Sequence, residues 1–151
     1  MKTAKQVLIL IGVSLLIAGG INLIHPNRIP WVEDWASHVE AQAVSEKVAL
    51  VQLSEVLDFL REDSRLLVDA RSAAEYANGH IPGAVQASAE RMELLNDPRP
   101  LVLYCTGLEC EDSLLLALEL RELGREDVAL FIGGMDLWRS EMLSVEEGDE
   151  S

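Results

Sequence analysis

Hydrophobic and polar positions divide this chain into an uncharged front and a patterned remainder. The run from Val7 to Ile24 contains no charged residue, and only Ser14 and Asn22 interrupt its apolar character. After Val48, short apolar runs alternate with segments whose apolar residues recur at helical spacing. Short apolar runs bounded by turn residues are typical of buried strands. Strands that alternate with helices pair in parallel through right-handed crossovers, so the pattern predicts a small three-layer α/β domain.

The individual elements follow from the same pattern. Ser54 is expected to cap the second helix, and Ser72 with Glu75 has the spacing of a capping box. Pro82-Gly83 predicts a turn that leads into a brief extended segment at Val85. The predicted strands are 48–53, 66–70, 101–104 and 127–132, and the predicted helices are 34–47, 55–61, 72–77, 90–95, 114–123 and 136–142.

The uncharged run from Val7 to Ile24 is long enough to cross a bilayer as a helix. At about 1.5 Å per residue it approaches the roughly 30 Å of the hydrocarbon core. Lys2 and Lys5 precede it, and by the positive-inside rule they place residues 1–6 in the cytoplasm. A cleaved signal peptide is the alternative. We predict a single-pass anchor with an extracytoplasmic domain, which is periplasmic if the source is a Gram-negative bacterium.

Beyond the anchor, residues 25–47 are expected to form a connector whose helix is either a stalk or an early part of the domain. Residues 48–144 form the predicted domain, and residues 145–151 form an acidic tail. The composition of residues 146–151 predicts disorder. The net charge of −14 makes the surface repel phosphate, which excludes nucleic-acid partners.

Cys105 is the candidate nucleophile. It follows the strand Leu101–Tyr104 directly, and a short polar loop leads from it to the helical segment Leu114–Leu123. At such a place backbone N–H groups and the positive end of a helix dipole converge, and they stabilise a reactive thiolate. A buried structural cysteine is the alternative. The crevice between strand end and helix is the usual ligand site of open α/β sheets, which favours function.

Four groups of residues resemble the rhodanese-like domain family, over roughly Val48 to Leu143. They are Val68-Asp69-Ala70-Arg71 with Glu75-Tyr76 and the GHIPGA turn Gly79–Ala84, Leu103-Tyr104-Cys105, the helix from Ser113 to Gly124, and Phe131-Ile132-Gly133-Gly134 with Trp138. The resemblance implies a rhodanese-like three-layer α/β domain with a mainly parallel central sheet. It also implies a sulfurtransferase mechanism, in which Cys105 takes a sulfane sulfur as a persulfide and passes it to a nucleophilic acceptor.

The resemblance also assigns expected roles around Cys105. Asp69 and Arg71 are expected to form a structural ion pair beside the loop, with a catalytic role as the alternative. His80 is expected to be architectural. Neither a cofactor nor a metal is expected. The N–H groups of the active-site loop are expected to bind the persulfide anion, and this loop comprises Thr106, Gly107, Leu108, Glu109, Cys110, Glu111 and Asp112.

This loop departs from the family's pattern. No arginine or lysine lies between Cys105 and Ser113, and three carboxylates stand there instead, on Glu109, Glu111 and Asp112. Carboxylates oppose thiolate formation and repel a dianion, so thiosulfate is a doubtful donor. The loop is also expected to be one or two residues longer than usual. Related phosphatases use Cys-x5-Arg, and glutamate at position 111 excludes that reaction.

Cys110 is the second cysteine of the chain and lies in the same loop. In an oxidising compartment it could resolve a Cys105 persulfide, releasing sulfide and closing a disulfide. The alternative is that Cys110 packs under the loop, on the far side from Cys105. A zinc site is not expected, because two cysteines without a nearby pair of histidines lack two ligands.

Three functions therefore stand as hypotheses. The first is a membrane-anchored sulfur or persulfide transferase that uses Cys105, with a sulfane-sulfur donor and a thiol acceptor of unknown identity. The second is a non-catalytic module that binds a partner protein through its acidic surface. The third is a thiol–disulfide redox protein that uses Cys105 and Cys110.

Overall fold

The structure, a computed structural model, describes residues 2–24, 35–87, 91–108 and 110–148. The chain divides into two compact units, Met1–Glu33 and Asp34–Ser151. The first unit contains α1 (Lys2–Ile24). Its stretch Thr3–Ile24 has a mean hydropathy of 2.6 and no buried part, so by length and composition it can span a membrane.

The second unit alternates strands and helices, as the sequence pattern predicts. Its elements are α2 (Trp35–Ser45), β1 (Ala49–Leu50), α3 (Leu53–Glu62), β2 (Leu66–Asp69), α4 (Ala73–Ala77), β3 (Val85–Gln86), α5 (Arg91–Asn96), β4 (Leu101–Tyr104), α6 (Asp112–Glu122), β5 (Val128–Phe131) and α7 (Gly134–Ser140). The prediction of a three-layer α/β domain is confirmed.

The five strands form one sheet in the order β1-β5-β4-β2-β3, and each neighbouring pair is parallel. β4 lies at the centre and all its side chains are buried. Such a strand is apolar on both faces because helices cover both sides of a parallel sheet. The carboxyl end of β4, where Cys105 follows, is therefore the middle of the edge at which this fold class places its ligands.

Two apolar clusters fill the space on either side of the sheet. One combines Leu101 and Leu103 of β4 with residues from α2, α5 and α6. The other combines Val102 and Tyr104 with residues from α3 and α7. Val39 and Ala43 of α2 are fully buried in the first cluster, so α2 is part of the domain rather than a stalk. The rest of the predicted connector, residues 25–34, lies outside the described residues.

The capping residues were predicted correctly for one helix and wrongly for another. Ser72 and Glu75 form the predicted box: the Glu75 N–H donates to Ser72 Oγ at 3.3 Å, and the Ser72 N–H donates to Glu75 Oε2 at 3.2 Å. The prediction of Ser54 as a cap is wrong, because α3 begins at Leu53 and is capped by Gln52. Glu55 determines this start, since its carboxylate accepts the Gln52 N–H at 2.8 Å.

The predicted disorder of the acidic tail is wrong for residues 146–148. Glu146 pairs with His80 in an antiparallel bridge, with N–H to carbonyl distances of 2.8 and 3.0 Å in the two directions. The Gly148 N–H donates to the Ala77 carbonyl at 3.1 Å. Acidic composition indicates poor burial, but it does not exclude backbone hydrogen bonds to a neighbouring turn. Residues 149–151 lie outside the described part of the chain.

Candidate active site around Cys105 and Cys110

Cys105 lies at the carboxyl end of the central strand and is 3% exposed. The Met135 N–H donates to its carbonyl at 3.0 Å, and the Asp136 N–H donates to the Thr106 carbonyl at 2.8 Å. The first turn of α7 thus holds the start of the loop through backbone hydrogen bonds. These bonds fix the direction in which the chain leaves β4.

Gly134 permits this close approach of α7 to the loop. Its φ of +54° is left-handed, and a Cβ placed on it would lie 2.4 Å from the carbonyl oxygen of Cys105. Residues with a side chain rarely adopt that backbone conformation, and the short distance leaves no room for a methyl group. The Gly133-Gly134 motif seen in the sequence therefore serves the geometry of the cysteine loop.

Cys105 and Cys110 are joined by a disulfide, with their Cα atoms 6.1 Å apart. The loop turns back on itself, and the Cys110 N–H donates to the Gly107 carbonyl at 3.1 Å. The prediction that Cys110 lies on the far side of the loop is therefore wrong. The disulfide brings the two sequence-predicted cysteines into one site. Glu109 lies outside the described residues.

The carboxylate of Asp112 lies beside both sulfurs. Its Oδ2 is 3.6 Å from Sγ of Cys110 and 4.0 Å from Sγ of Cys105. Asp112 opens α6, and Glu111 is the cap residue without a side-chain hydrogen bond to the helix. The positive end of the helix dipole and a negative carboxylate thus act on the same two sulfurs with opposite sign.

Two sulfurs and one carboxylate are also the only close group of possible metal ligands among the described residues. The ligand atoms of Cys105, Cys110 and Asp112 lie within 4.8 Å of one another. Metals bind the thiolate form of cysteine, which a disulfide does not offer. In the disulfide state this group therefore cannot coordinate a metal through sulfur.

Asp69 and Arg71 form a buried ion pair, as expected. Arg71 Nε donates to Asp69 Oδ1 at 2.9 Å, and its Nη2 donates to Oδ2 at 2.5 Å. Burial lowers the pKa of Arg71, but the hydrogen bond and charge of Asp69 outweigh it, so the pKa is raised. Nη2 also donates to the Gly79 carbonyl at 3.0 Å, and Gln86 Nε2 donates to the Arg71 carbonyl at 2.9 Å. The pair links β2, β3 and the GHIPGA turn.

The GHIPGA turn is held by aromatic and backbone contacts. The rings of His80 and Tyr76 stack with centroids 3.7 Å apart, and Nδ1 of His80 lies 3.0 Å from the Tyr76 carbonyl. The Ile81 N–H donates to the hydroxyl of Tyr104 at 3.1 Å. Burial, followed by the charge of Asp69, raises the pKa of Tyr104 far above its usual range. These contacts agree with an architectural role for His80.

A cleft of about 740 Å³ opens between the loop and α7. Among the described residues its wall includes Cys110 but not Cys105. Among the described wall residues, Asp136 is the only charged one. Its carboxylate lies over Gly107, because a Cβ placed on Gly107 would be 2.7 Å from Asp136 Oδ2. Sequence reasoning did not select Asp136. The available signal was an acidic residue two positions after Gly134, in the turn that contacts the loop.

A smaller cleft of about 250 Å³ includes Asp112 in its wall. It also contains Arg71, whose guanidinium is already engaged by Asp69 and Gly79. Within the described residues, neither cleft therefore offers an unengaged cation to an anionic donor.

This fold and this cysteine site define the class of the protein. The rhodanese-like domain family matches residues 52–141, and the chain belongs to that family. It is 36% identical over 104 residues to a tRNA sulfurtransferase of Desulfurococcus amylolyticus, covering 68% of this chain and 20% of that protein. It is 40% identical over 89 residues to an HTH-type transcriptional regulator of Mycobacterium tuberculosis, covering 54% of this chain and 38% of the regulator. The chain thus spans less than two fifths of these relatives.

Solved structures show the same fold. A thiosulfate sulfurtransferase from Pseudomonas aeruginosa superposes with a TM-score of 0.63 at 22% identity, over 76% of this chain and 23% of that one. A human single-domain sulfurtransferase gives a TM-score of 0.52 at 23% identity, over 62% of this chain and 97% of that one. The resemblance stated from the sequence is confirmed.

Proposed function

We propose that this chain is a sulfurtransferase in which reduced Cys105 carries a sulfane sulfur as a persulfide. The observation that carries the proposal is the position of Cys105, at the end of the central strand and facing the start of α6, in a family that includes sulfurtransferases. The structure holds this cysteine in a disulfide with Cys110, so reduction of the disulfide precedes sulfur uptake.

The first step transfers one sulfur atom from a hydropersulfide donor. The Cys105 thiolate attacks the terminal sulfur of R–S–SH, a sulfur–sulfur bond forms on Cys105, the donor's bond breaks, and the donor leaves as a thiolate. The dipole of α6 supports the anion. Asp69 and Arg71 hold β2 and the turn in place without touching sulfur.

The persulfide then has two fates. In the first, an acceptor thiolate attacks the outer sulfur and takes it, and Cys105 returns to the thiolate form. Alternatively, the Cys110 thiolate attacks Sγ of Cys105, and the outer sulfur leaves as hydrosulfide while the disulfide closes. In this second route the sulfane sulfur is reduced and the two cysteines are oxidised, so a thiol reductant must reopen the disulfide. The short separation of the two cysteines supports the second route.

A hydropersulfide or polysulfide suits this site better than thiosulfate. Asp112 lies beside the sulfurs and Asp136 lines the larger cleft, while no basic side chain lines that cleft among the described residues. A dianion meets repulsion from both carboxylates. Glu109 and Glu111 would add to it, although Glu109 lies outside the described residues.

The disulfide also favours a second candidate function, that of a thiol–disulfide redox protein. In that case the Cys105–Cys110 pair exchanges electrons with partner thiols, and no sulfur atom is carried. The two functions share the disulfide and differ in whether a persulfide forms.

For the apolar first unit we propose membrane anchoring with the N-terminus in the cytoplasm. The run Thr3–Ile24 supports an anchor by its length and hydropathy. Lys2 and Lys5 before it support the orientation. The second unit, with α2 included, then lies outside the cytoplasm, where disulfides persist.

Mass spectrometry of the reduced chain with polysulfide tests the function. We expect the peptide that contains Cys105 to gain the mass of one sulfur atom. Cys105→Ser abolishes the adduct, whereas Cys110→Ser keeps it and lengthens its life, because nothing then resolves it. A disulfide that forms without any sulfur adduct would establish the redox function instead. Two unreactive cysteines at neutral pH would leave a non-catalytic binding module.

A further inference from the structure

The two sulfurs of the disulfide differ in their access to solvent. Cys105 is buried, whereas Cys110 is partly exposed and forms part of the wall of the 740 Å³ cleft. An external thiolate must approach a disulfide sulfur along the sulfur–sulfur axis, so access decides which sulfur it attacks. Here the open sulfur is that of Cys110.

The leaving sulfur is also better placed on Cys105. Attack on Cys110 expels the Cys105 thiolate, which lies farther from the Asp112 carboxylate, at 4.0 Å rather than 3.6 Å. The dipole of α6 acts on both sulfurs, so it supports the expelled Cys105 thiolate without itself selecting a direction. Access therefore selects the direction of reaction, and the two distances to Asp112 agree with it.

The cleft next to Cys110 has the size and charge of a small-molecule site for a cation. Its volume lies within the usual range for small ligands, about 300–1,000 Å³. Among the described residues its wall combines apolar groups with one carboxylate, that of Asp136, and the carboxylate of Asp112 lies beside the sulfur under attack. Both charges attract an ammonium group and repel an anion.

We infer that this cleft binds a low-molecular-weight thiol that carries an ammonium group, and that this thiol reduces the disulfide by attack on Cys110. Its thiolate forms a bond to Sγ of Cys110, the bond between the cysteines breaks, and Cys105 leaves with the electron pair. A second molecule attacks the sulfur of the first, which frees Cys110 and gives the thiol's own disulfide. Two external thiols are oxidised, and their protons pass to the two cysteines.

The inference rests on the proposed function, because it identifies the reductant class that returns Cys105 to its sulfur-accepting form. It also assigns a role to Asp136 as the residue that selects among thiols. The rate of disulfide reduction then depends on the charge of the thiol molecule as well as on the reactivity of its sulfur.

Three thiols of similar size test the charge preference on the full chain in an uncharged detergent. They are cysteamine, 2-mercaptoethanol and 2-mercaptoethanesulfonate, and each rate of disulfide reduction is divided by the same thiol's rate with the uncharged reference 2,2′-dipyridyl disulfide. At low salt we expect the normalised rate with cysteamine to be about fivefold higher than with 2-mercaptoethanol, and the rate with the sulfonate to be about fivefold lower. A fivefold change corresponds to the interaction of two unit charges near 4 Å in water, about 1 kcal/mol. The preference should disappear at about 1 M salt.

Asp136→Asn supplies the matched test of the cleft. This variant should lose most of the preference for cysteamine, while Glu126→Gln should retain it, because residue 126 is an exposed carboxylate just before β5, at the opposite edge of the sheet. When the reaction is stopped with acid and the protein is fragmented without reducing its disulfides, the first mixed disulfide with cysteamine should be found on Cys110.

Equal normalised rates for the three thiols would overturn the inference, as would an unchanged preference in Asp136→Asn or a first adduct on Cys105. The salt dependence of the unaltered chain tests the charge preference even if the variant folds poorly. The polysulfide adduct on Cys105 is measured separately, on protein reduced beforehand, so failure of the proposed function is distinguishable from failure of this site.

Discussion

Among the described residues, Asp112 is the acidic residue whose carboxylate lies beside both cysteine sulfurs. Its carboxylate opposes negative charge on either sulfur after reduction. Asp112→Asn should therefore raise the thiolate fraction and speed alkylation of the reduced chain by iodoacetamide several-fold at neutral pH. The gain should vanish at a pH where both cysteines are fully ionised. Unchanged or slower alkylation at neutral pH would show that the carboxylate does not control ionisation.

Replacement of Asp69 tests the buried ion pair. Asp69→Ala leaves the Arg71 guanidinium buried without its partner and should cost about 3–5 kcal/mol in the free energy of unfolding. Asp58→Ala is the control, since it breaks the solvent-exposed pair of Asp58 with Arg61 and should cost less than about 1 kcal/mol. Urea unfolding measures both values, and equal costs would contradict the assigned role.

Glu75 gives a pH dependence of known sign. Hydrogen bonds from the Ser72 side chain and backbone, with a smaller one from Thr106, lower its pKa below the ordinary value of 4.5. The carboxylate therefore stabilises the fold above about pH 4.5, and this contribution is lost as the pH falls through the lowered pKa. The stability difference between the chain and Glu75→Gln should be constant near neutrality and shrink in acid. A difference that grows in acid would refute this.

At the scale of elements, Gly134 determines how α7 meets the cysteine loop. Gly134→Ala places a methyl group against the Cys105 carbonyl, so it should destabilise the domain and loosen the disulfide loop. Gly124→Ala is the matched control, because Gly124 also has a positive φ, +94°, but open space around it. We expect a loss of about 1–3 kcal/mol from backbone strain alone in the control and a larger loss at Gly134. Similar losses in urea unfolding would contradict this steric role.

The elements themselves were largely readable from the sequence, and the contacts between them were not. The run Leu101–Tyr104 predicts a buried strand because all four residues are apolar, and Ser72 with Glu75 predicts a cap because both partners are local. The bridge of Glu146 to His80 joins positions far apart in the chain, and backbone bonding leaves no trace in composition. For the same reason Asp136 was missed, since its place over Gly107 depends on how α7 packs.

At the scale of the whole molecule, the proposed orientation of the first unit would place the two cysteines outside the cytoplasm. A reporter enzyme that is active only outside the cytoplasm should be active when fused after the last residue. The fusion belongs there because residues 146–148 pair with the domain. Replacing Lys2 and Lys5 with glutamate should weaken this orientation. Activity of a cytoplasm-dependent reporter at the same position would refute the predicted topology.

The order of strands also constrains how the domain can be made. The first strand, β1, lies at the sheet edge beside β5, with Ala49 paired to Ala129, and β5, the last strand in the chain, must enter between β1 and β4. When only the first half of the domain has left the ribosome, β1, β2 and β3 are present without the central strand β4. Because β5 lies between β1 and β4, the sheet can be completed only after β5 has emerged. If the apolar N-terminal helix engages the membrane early, the chain behind it would still be incompletely folded and could be translocated. The Cys105–Cys110 disulfide would then form only after translocation.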